Sequence, residues 1–509
     1  MNHDKKILTI DQSTSGTKVL IINADGQIVH RCTEDHRQFY PQPDWVEHDP
    51  IEIWEKTQTA IRRVLTESNT NVQCIAAVAI TNQRETVVVW DRKTGQPVYN
   101  AVVWQCQRGA QLCKELREAG YNAMVEEKTG LLIDPYFSAT GIKWILDNVK
   151  GTREKAAAGD LVFGTIDTWL IYNLTGKQVI ATDYSNACRT MLLNIYDLTW
   201  DKDLLQLLDI PFSMAPEVLF SDAAFGYTDV GNLFEREIPI TGVMGDSHAA
   251  LFGQNCFEPG MAKATFGTGS SIMMNIGKQP QKSPQGLVTS IGWGSNSIVS
   301  YVFEGNIHCT GDTINWLVND LKLLENAAES EQLAFSVPDN NSVFLVPAFA
   351  GLGAPYWENR ARASISGMPR STKRAHIVRA ALEAIAYQVR DLIDLMTQNS
   401  GLILKELRVD GGPTRNAFLM QFLADMVNGK IIRTRAEEIS ALGVAFMAGL
   451  TVGIWKDLNE LQTMRQVDRE FKPVMADDQR QQLYNGWQRA VQSVLNAAKG
   501  SSLSKEYKL

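Results

Sequence analysis

The chain opens with two short apolar runs separated by a polar turn. ILTI and KVLIIN are rich in β-formers, DQSTSGT lies between them, and the Asp-Gly of ADGQ marks the next reversal. This pattern predicts a hairpin followed by another turn. A helical period takes over in IEIWEKTQTAIRRVL, where Asp49 is placed to cap and Pro50 suits the first helical position. CIAAVAITNQ then reads as a buried strand, and TVVVWDRKTGQPVYN as another strand with a turn. Hairpin, helix and strand in this alternation predict an α/β fold.

A second version of the plan starts near residue 240. IPITGVMGD predicts a strand, AALFGQ the start of a helix, and GMAKATFGTGSSIMMNIG a hairpin with a Gly/Thr/Ser turn. SIVSYVFEG reads as a strand, GDTINWLVNDL as a helix and TKRAHIVRAALEAIAYQVRDLIDLM as a long helix. LKELRVDGG predicts a strand ending in a double glycine, and NAFLMQFLADMVN a helix. The turns DQSTSGT and FGTGSS thus occupy corresponding places, a weak internal repeat. The simplest architecture is two α/β lobes, residues 1–250 and 251–509, with a cleft between them.

Length and charge narrow the setting. At 509 residues the chain exceeds what one core sustains, so two domains or more are expected. A net charge of −8 argues against nucleic-acid or anionic-membrane partners. No run approaches eighteen apolar residues, so membrane insertion is not expected. Seven scattered cysteines without a CxxC pair suggest neither a disulfide framework nor a zinc site. MNHDKKILTIDQ carries no signal core, and a reducing cytoplasm is the expected compartment.

Three glycine-bearing turns carry candidate chemistry. In Asp11-Gln-Ser-Thr-Ser-Gly-Thr-Lys18 and Phe266-Gly-Thr-Gly-Ser-Ser271, N–H and O–H donors can cradle phosphate oxygens. An acid at a strand end, such as Asp11, can hold Mg²⁺ through water, as phosphoryl transfer requires. In Val409-Asp-Gly-Gly-Pro-Thr-Arg-Asn416 the missing Cβ atoms permit close approach of a flat ligand such as adenine. None is a dinucleotide fingerprint or a Walker A loop. Each alone is compatible with an ordinary turn; in this order the three point to an ATP clamp.

The polar clusters come next. Asn82-Gln-Arg-Glu-Thr86 follows an apolar strand, so Arg84 and Glu85 emerge where ligands bind in α/β sheets. A donor fork beside an acceptor suits a polyol, whose hydroxyls both give and take hydrogen bonds, though a solvated ion pair reads the same. Trp104 and Tyr136 suit either apolar walls or core. Asp246, between ITGVMG and an Ala-rich run, suits either a helix cap or a general base for an attacking hydroxyl.

These residues resemble the FGGY carbohydrate kinases, and among them the glycerol kinases, from about Ile7 to about Trp455. The matching segments include YPQPDWVEHDPIEIW, ITNQRETVVVWDRKTGQPVYNAVVWQC, LLIDPYFSAT, FGTIDTWLIYNLTG, AFAGLGAPYWENRAR and RVDGG. The resemblance implies two RNase H-like domains of the actin/Hsp70/sugar-kinase type that close on ATP, Mg²⁺ and a polyol. It implies γ-phosphate transfer to a terminal hydroxyl of glycerol or a closely related small polyol, with Asp246 as base. Asp11, with Asp246, would hold the metal. Thr14 and Ser15 would approach the phosphates, and Gly267 and Thr268 would form the opposing loop. Gly311, Asn315, Gly412 and Asn416 would flank the nucleotide. Arg84, Glu85, Trp104, Tyr136 and Asp246 fall on the family's polyol-binding positions. A homo-oligomer, dimer or tetramer, is the expected assembly.

Two departures touch the substrate. Glycerol kinases carry GDQQAALFGQ where this chain has GDSHAALFGQ, so Ser247 replaces a glutamine that would contact glycerol. They carry Cys-Phe after the GTG loop where this chain has Ser270-Ser271, so Ser271 replaces a phenylalanine wall. Ser247 and Ser271 shorten two side chains at one pocket, which suits a four- or five-carbon polyol or ketose such as erythritol, threitol, erythrulose, ribitol or xylulose. An actin/Hsp70-like ATPase without kinase activity would share the hairpins but has no reason to keep the polyol cluster.

Overall fold

The computed structural model describes residues 4–229, 233–464 and 467–500. The opening runs form the expected hairpin, strands Lys6–Gln12 and Gly16–Asn23, and Ile28–Asp35 adds a third antiparallel strand. On the other side Ile75–Asn82 and then Ile240–Gly245 join in parallel, completing five strands. The second half repeats this core. Met261–Phe266 and Ser270–Gly277 form the hairpin, Ile298–Ile307 is the third antiparallel strand, and Glu406–Gly411 and Ile431–Thr434 extend it in parallel. Val288–Ser295 and Val467–Phe471 add the two edges of this seven-stranded sheet. The architecture is the two-lobed α/β fold that the repeat implied.

Side-chain alternation explains how one strand serves two cores. Leu8 and Ile10 face the helix Pro50–Glu67, which buries Ile53, Ala60, Ile61 and Val64 against them. That helix starts as expected, with the Asp49 carboxylate accepting from the Ile51 N–H at 2.8 Å. Ile7 points the other way, and so, by register, does Asp11. The run Val87–Asp91 forms the expected strand. It leaves the main sheet and joins a separate four-stranded one with Glu47–His48, Ala101–Val102 and Leu161–Thr165. Glu85, at φ +61°, turns the chain between the two sheets.

The lobes meet at two crossed helices, Asp246–Gly253 and Ile439–Thr451. The second helix lies late in the chain, yet it packs on four strands of the first sheet. Ile7, Ala77 and Met244 from the first sheet share one core with both helices and with Met261, Met273 and Val302 from the second. At the crossing, backbone touches backbone: a Cβ on Gly443 would stand 1.9 Å from the Ala249 carbonyl oxygen. Ser440 adds a tie, its hydroxyl donating to the Asp246 carbonyl at 2.9 Å. Gly443→Ala is therefore expected to cost about 1–3 kcal/mol through overpacking. It should also displace the Asp246 helix and lower kcat by roughly 10–100-fold, since a shift near 1 Å can cost that much. Thermal melting and steady-state kinetics on the one variant read both effects.

Candidate active site

A cleft of about 770 Å³ opens between the lobes, lined by Asp11, Ser13, Lys18, Asp246, Thr265, Asp410, Gly411 and Gly412 among others. Three carboxylates from three strand ends thus face one space. Asp11, at the end of the first strand, is pushed up to about 7 by burial, with Lys18 opposing and Glu438 and Asp246 adding to the rise. Asp410 is also raised by burial, although Lys263 counters it and Gln254 and Thr265 donate to it at 2.9 and 3.3 Å. Asp11 and Asp410 are thus buried carboxylates raised by burial at one cleft, a chemistry that fits a divalent cation.

Asp246 is the first residue of its helix, and the N-cap position belongs to Gly245. Its carboxylate accepts from the adjacent Ser247 N–H at 2.6 Å, and the Arg84 Nε lies 3.2 Å away. Its side chain is 41% exposed, so one face of the carboxylate stays open to the cleft. A capping role in the usual sense is therefore absent, and a carboxylate oriented by arginine remains.

Arg84 does not present a free donor fork. Its two terminal nitrogens donate to both oxygens of Glu304 at 3.1 and 2.9 Å. Arg189 joins the same buried group, with Nε donating to Glu85 at 2.6 Å and Nη1 lying 2.8 Å from Glu304. Burial works against the charge on Glu304, yet Arg189 and Arg84 hold its carboxyl well below the ordinary range. Two arginines and two glutamates, all nearly inaccessible to solvent, thus form a closed charged lattice. Glu85 sits in the left-handed backbone region, a strained conformation for a non-glycine residue that this lattice maintains.

The aromatic wall stands beside the lattice. Trp104 and Tyr136 meet edge to face at 5.5 Å, and the Arg189 guanidinium lies 5.9 Å from the Tyr136 ring. The Trp104 indole N–H donates to the Thr14 hydroxyl at 3.0 Å, which ties this wall to the first hairpin turn. Gln83 adds a second tie, its amide donating to the Gln12 side chain at 3.0 Å. Arg84, Glu85, Trp104, Tyr136 and Asp246 therefore lie in one connected cluster. Ser247 follows Asp246 directly. Ser271 is half-buried on the facing strand, 3.4 Å from the Lys263 ammonium.

The second turn docks on a helix start. The Gly267 and Thr268 carbonyls accept from the Gly311 and Asp312 N–H groups at 3.0 and 3.1 Å. A Cβ on Gly311 would meet Gly267 O at 2.5 Å, and one on Gly411 would meet Phe266 O at 1.9 Å, so both glycines are required by packing. Gly412 has open space where a Cβ would stand. Ser15, Thr268 and Asn315 are exposed along this rim. Asn416 caps the helix Ala417–Val427 by accepting from Leu419 N–H at 2.9 Å, and its amide donates to Ser330 at 3.1 Å.

Sequence reading missed Glu304, Arg189, Lys263, Asp410 and His248. Glu304 and Lys263 had a signal: each is a single charge inside an otherwise apolar strand, YVFEG and GMAKATF. Lys263 is almost fully buried, and burial lowers its ammonium. His248 is fully buried, and burial pushes its imidazole well below its usual range, so it is neutral.

Comparison with known proteins places this geometry. Residues 6–253 match the N-terminal domain of the FGGY family of carbohydrate kinases, and residues 262–452 match its C-terminal domain. "Glycerol kinase 2" of Thermotoga maritima is 52% identical over 487 residues, covering 96% of this chain and 98% of the relative. A glycerol kinase of Caldanaerobacter subterraneus subsp. tengcongensis is 49% identical over 97% of this chain and 99% of its own. The crystal structure of Plasmodium falciparum glycerol kinase with ADP superposes with a TM-score of 0.93 at 38% identity, covering 96% of this chain and 98% of that one. A xylulose kinase from Lactobacillus acidophilus shares the fold, with a TM-score of 0.87 at 20% identity over 98% and 99% of the two chains. Full-length identity near one half, both domain matches and a carboxylate cleft between duplicated sheets lead to one assignment: the chain belongs to the FGGY family of carbohydrate kinases, phosphotransferases with an alcohol acceptor.

Proposed function

We propose that the protein transfers the γ-phosphate of ATP to a terminal hydroxyl of glycerol, with Asp246 as general base. The observation that carries this reading is the open carboxylate of Asp246 held 3.2 Å from Arg84, beside the Trp104–Tyr136 wall and facing Asp11 across the cleft. The names of the full-length relatives support glycerol as acceptor.

In this reading Asp246 accepts the hydroxyl proton as the oxygen attacks in line. Arg84 fixes the carboxylate, the buried Arg84–Glu85 lattice backs the polyol site, and Trp104 and Tyr136 wall off water. Thr14, Ser15, Gly267 and Thr268 bring hydroxyl and backbone donors to the phosphates. Gly311, Asn315, Gly412 and Asn416 bound the adenosine. Mg²⁺, held through Asp11 and Asp246, would neutralise charge on the transferring group.

One observation favours a second acceptor class. Ser271 is a short hydroxyl side chain with the Lys263 ammonium 3.4 Å away as a further donor, and Ser247, beside the proposed base, is another short hydroxyl. A longer polyol or ketose of four or five carbons would meet these groups with hydroxyls of its own. The expected result is ADP release that depends strictly on an added polyol, measured by a coupled assay with glycerol, erythritol, threitol, erythrulose, ribitol and xylulose. Ranking kcat/KM separates the two acceptor classes, and a strong preference for glycerol removes the second. ADP release indifferent to every polyol would overturn both and favour an ATPase of the actin/Hsp70 type.

A further inference from the structure

Away from the cleft, on the outer surface of the first lobe, His30, Cys32 and Glu67 converge. His30 and Cys32 are two apart on the edge strand Ile28–Asp35, so both side chains leave the same face. Glu67 is the last residue of the helix Pro50–Glu67 packed over that face. One oxygen of Glu67 lies 3.2 Å from His30 Nε2 and 3.3 Å from Cys32 Sγ. All three donor atoms fall within 4.8 Å of one another, and among the described residues no other group of three or more His, Cys, Asp or Glu does so.

We propose that His30, Cys32 and Glu67 form a binding site for a divalent ion of the zinc class. Bonds of about 2.0–2.3 Å to N, O and S put neighbouring ligands of a tetrahedral ion roughly 3.4–3.6 Å apart. Two of the three edges already stand within a few tenths of an ångström of that value. Imidazole, thiolate and carboxylate together are donors that Zn²⁺ and Co²⁺ accept and that Mg²⁺ and Ca²⁺ do not favour.

Charge and access agree with the assignment. With Cys32 as thiolate, Cys32, Glu67 and the nearby Glu34 carry three negative charges. Against them stand the two of the ion, that of Arg63, which pairs with both Glu34 and Glu67, and that of Lys56, 3.8 Å from Glu34. The far oxygen of Glu67 takes the Arg63 Nε at 3.0 Å, leaving the near one for the ion. An acid at the last position of a helix meets the negative end of the dipole, and no basic residue stands in that last turn, so a cation there removes a standing repulsion. The side chains of His30 and Glu67 are 33% and 44% exposed, so an ion reaches the site from solvent and a water completes the fourth position. The HxC pairing escaped sequence reading because its third ligand lies 35 residues further along the chain.

Binding forms an S–metal bond and breaks the S–H bond of Cys32, whose proton goes to the buffer. Because the thiol must lose this proton to coordinate, affinity should rise with pH. The test uses the full chain, stripped with chelator and titrated with Co²⁺ as an optical probe and with Zn²⁺ by calorimetry. The expected result is one saturable site with a thiolate-to-cobalt charge-transfer band and release of about one proton. Cys32→Ser should abolish the band, and Glu67→Gln should weaken Zn²⁺ binding by at least about 10-fold. Glu67 is half-exposed and outside the kinase cleft, so Glu67→Gln keeps the test available if Cys32→Ser does not fold. Absence of saturable binding, or a band that persists in Cys32→Ser, overturns the assignment.

Discussion

Asp246→Asn is expected to lower kcat by about 10²–10⁴-fold, the usual scale of a general-base contribution. The amide is nearly isosteric, keeps an oxygen that can accept from Ser247 N–H, and still fits beside Arg84. It cannot take a proton at neutral pH, so the hydroxyl must attack without assistance. ATP affinity should change less than kcat, because in the proposed arrangement the adenosine and phosphate contacts fall on other side chains. The polyol KM should shift only a few-fold, so the loss sits in kcat, as for an interaction made chiefly in the transition state. Steady-state kinetics with both substrates varied separates these terms. A near-wild-type kcat would leave Asp246 as a helix-terminal residue and nothing more.

Glu304→Leu is the other change with a large expected effect, and it acts on both folding and binding. Glu304 pairs with both Arg84 and Arg189 at the centre of the buried lattice, at 2.9 and 2.8 Å, while Glu85 lies 3.8 Å from Arg84 and 2.6 Å from Arg189. Leucine leaves two guanidinium groups in a site from which water is excluded, with Glu85 as their remaining buried carboxylate. Breaking a buried ion pair by removing one partner costs about 3–5 kcal/mol, far more than any surface pair contributes. Once released, Arg84 no longer fixes Asp246, so kcat/KM for the polyol should fall by roughly 10²-fold or more beyond the loss of stability. Urea unfolding followed by tryptophan fluorescence reads the first effect, and kinetics at a temperature well below the transition reads the second. Glu304→Gln keeps one acceptor oxygen and should recover part of the stability but little of the activity. Equal stability in Glu304→Leu would show that the lattice is not closed as described.

Much of this was visible in the chain because it was local. The two hairpins, the Asp49-Pro50 helix start and the strand before Asn82 each declare themselves within about ten residues, through period, capping or turn chemistry. Asp246 and Arg84 were legible as strand-end residues for the same reason. What stayed hidden depends on partners far away in sequence. Arg84 and Glu304 are separated by 220 residues, and nothing in NQRET announces that its arginine is already engaged. The detachment of Val87–Asp91 from the first sheet rests on the left-handed turn at Glu85, a conformation that residue type does not announce. Gly443 and Gly253, scattered in two Ala-rich helices, look like tolerated small residues until the helices are brought into contact.

That contact has a mechanical consequence. Helices packed through side chains can slip past one another, since rotamers re-sort as ridges pass grooves. At Gly443 and Ala249 there is no side-chain layer to re-sort, so sliding would drive backbone into backbone while rotation about the contact stays possible. The junction behaves as a pivot rather than a slide, and displacement grows with distance from it. Asp246, at the start of one pivot helix, is near the axis, whereas the turns at Thr268 and Gly412 ride on the opposite arm. In the proposed kinase, a rotation about this contact would carry the two turns further than Asp246, so substitutions at the outer rim would alter the swing more than the position of the carboxylate.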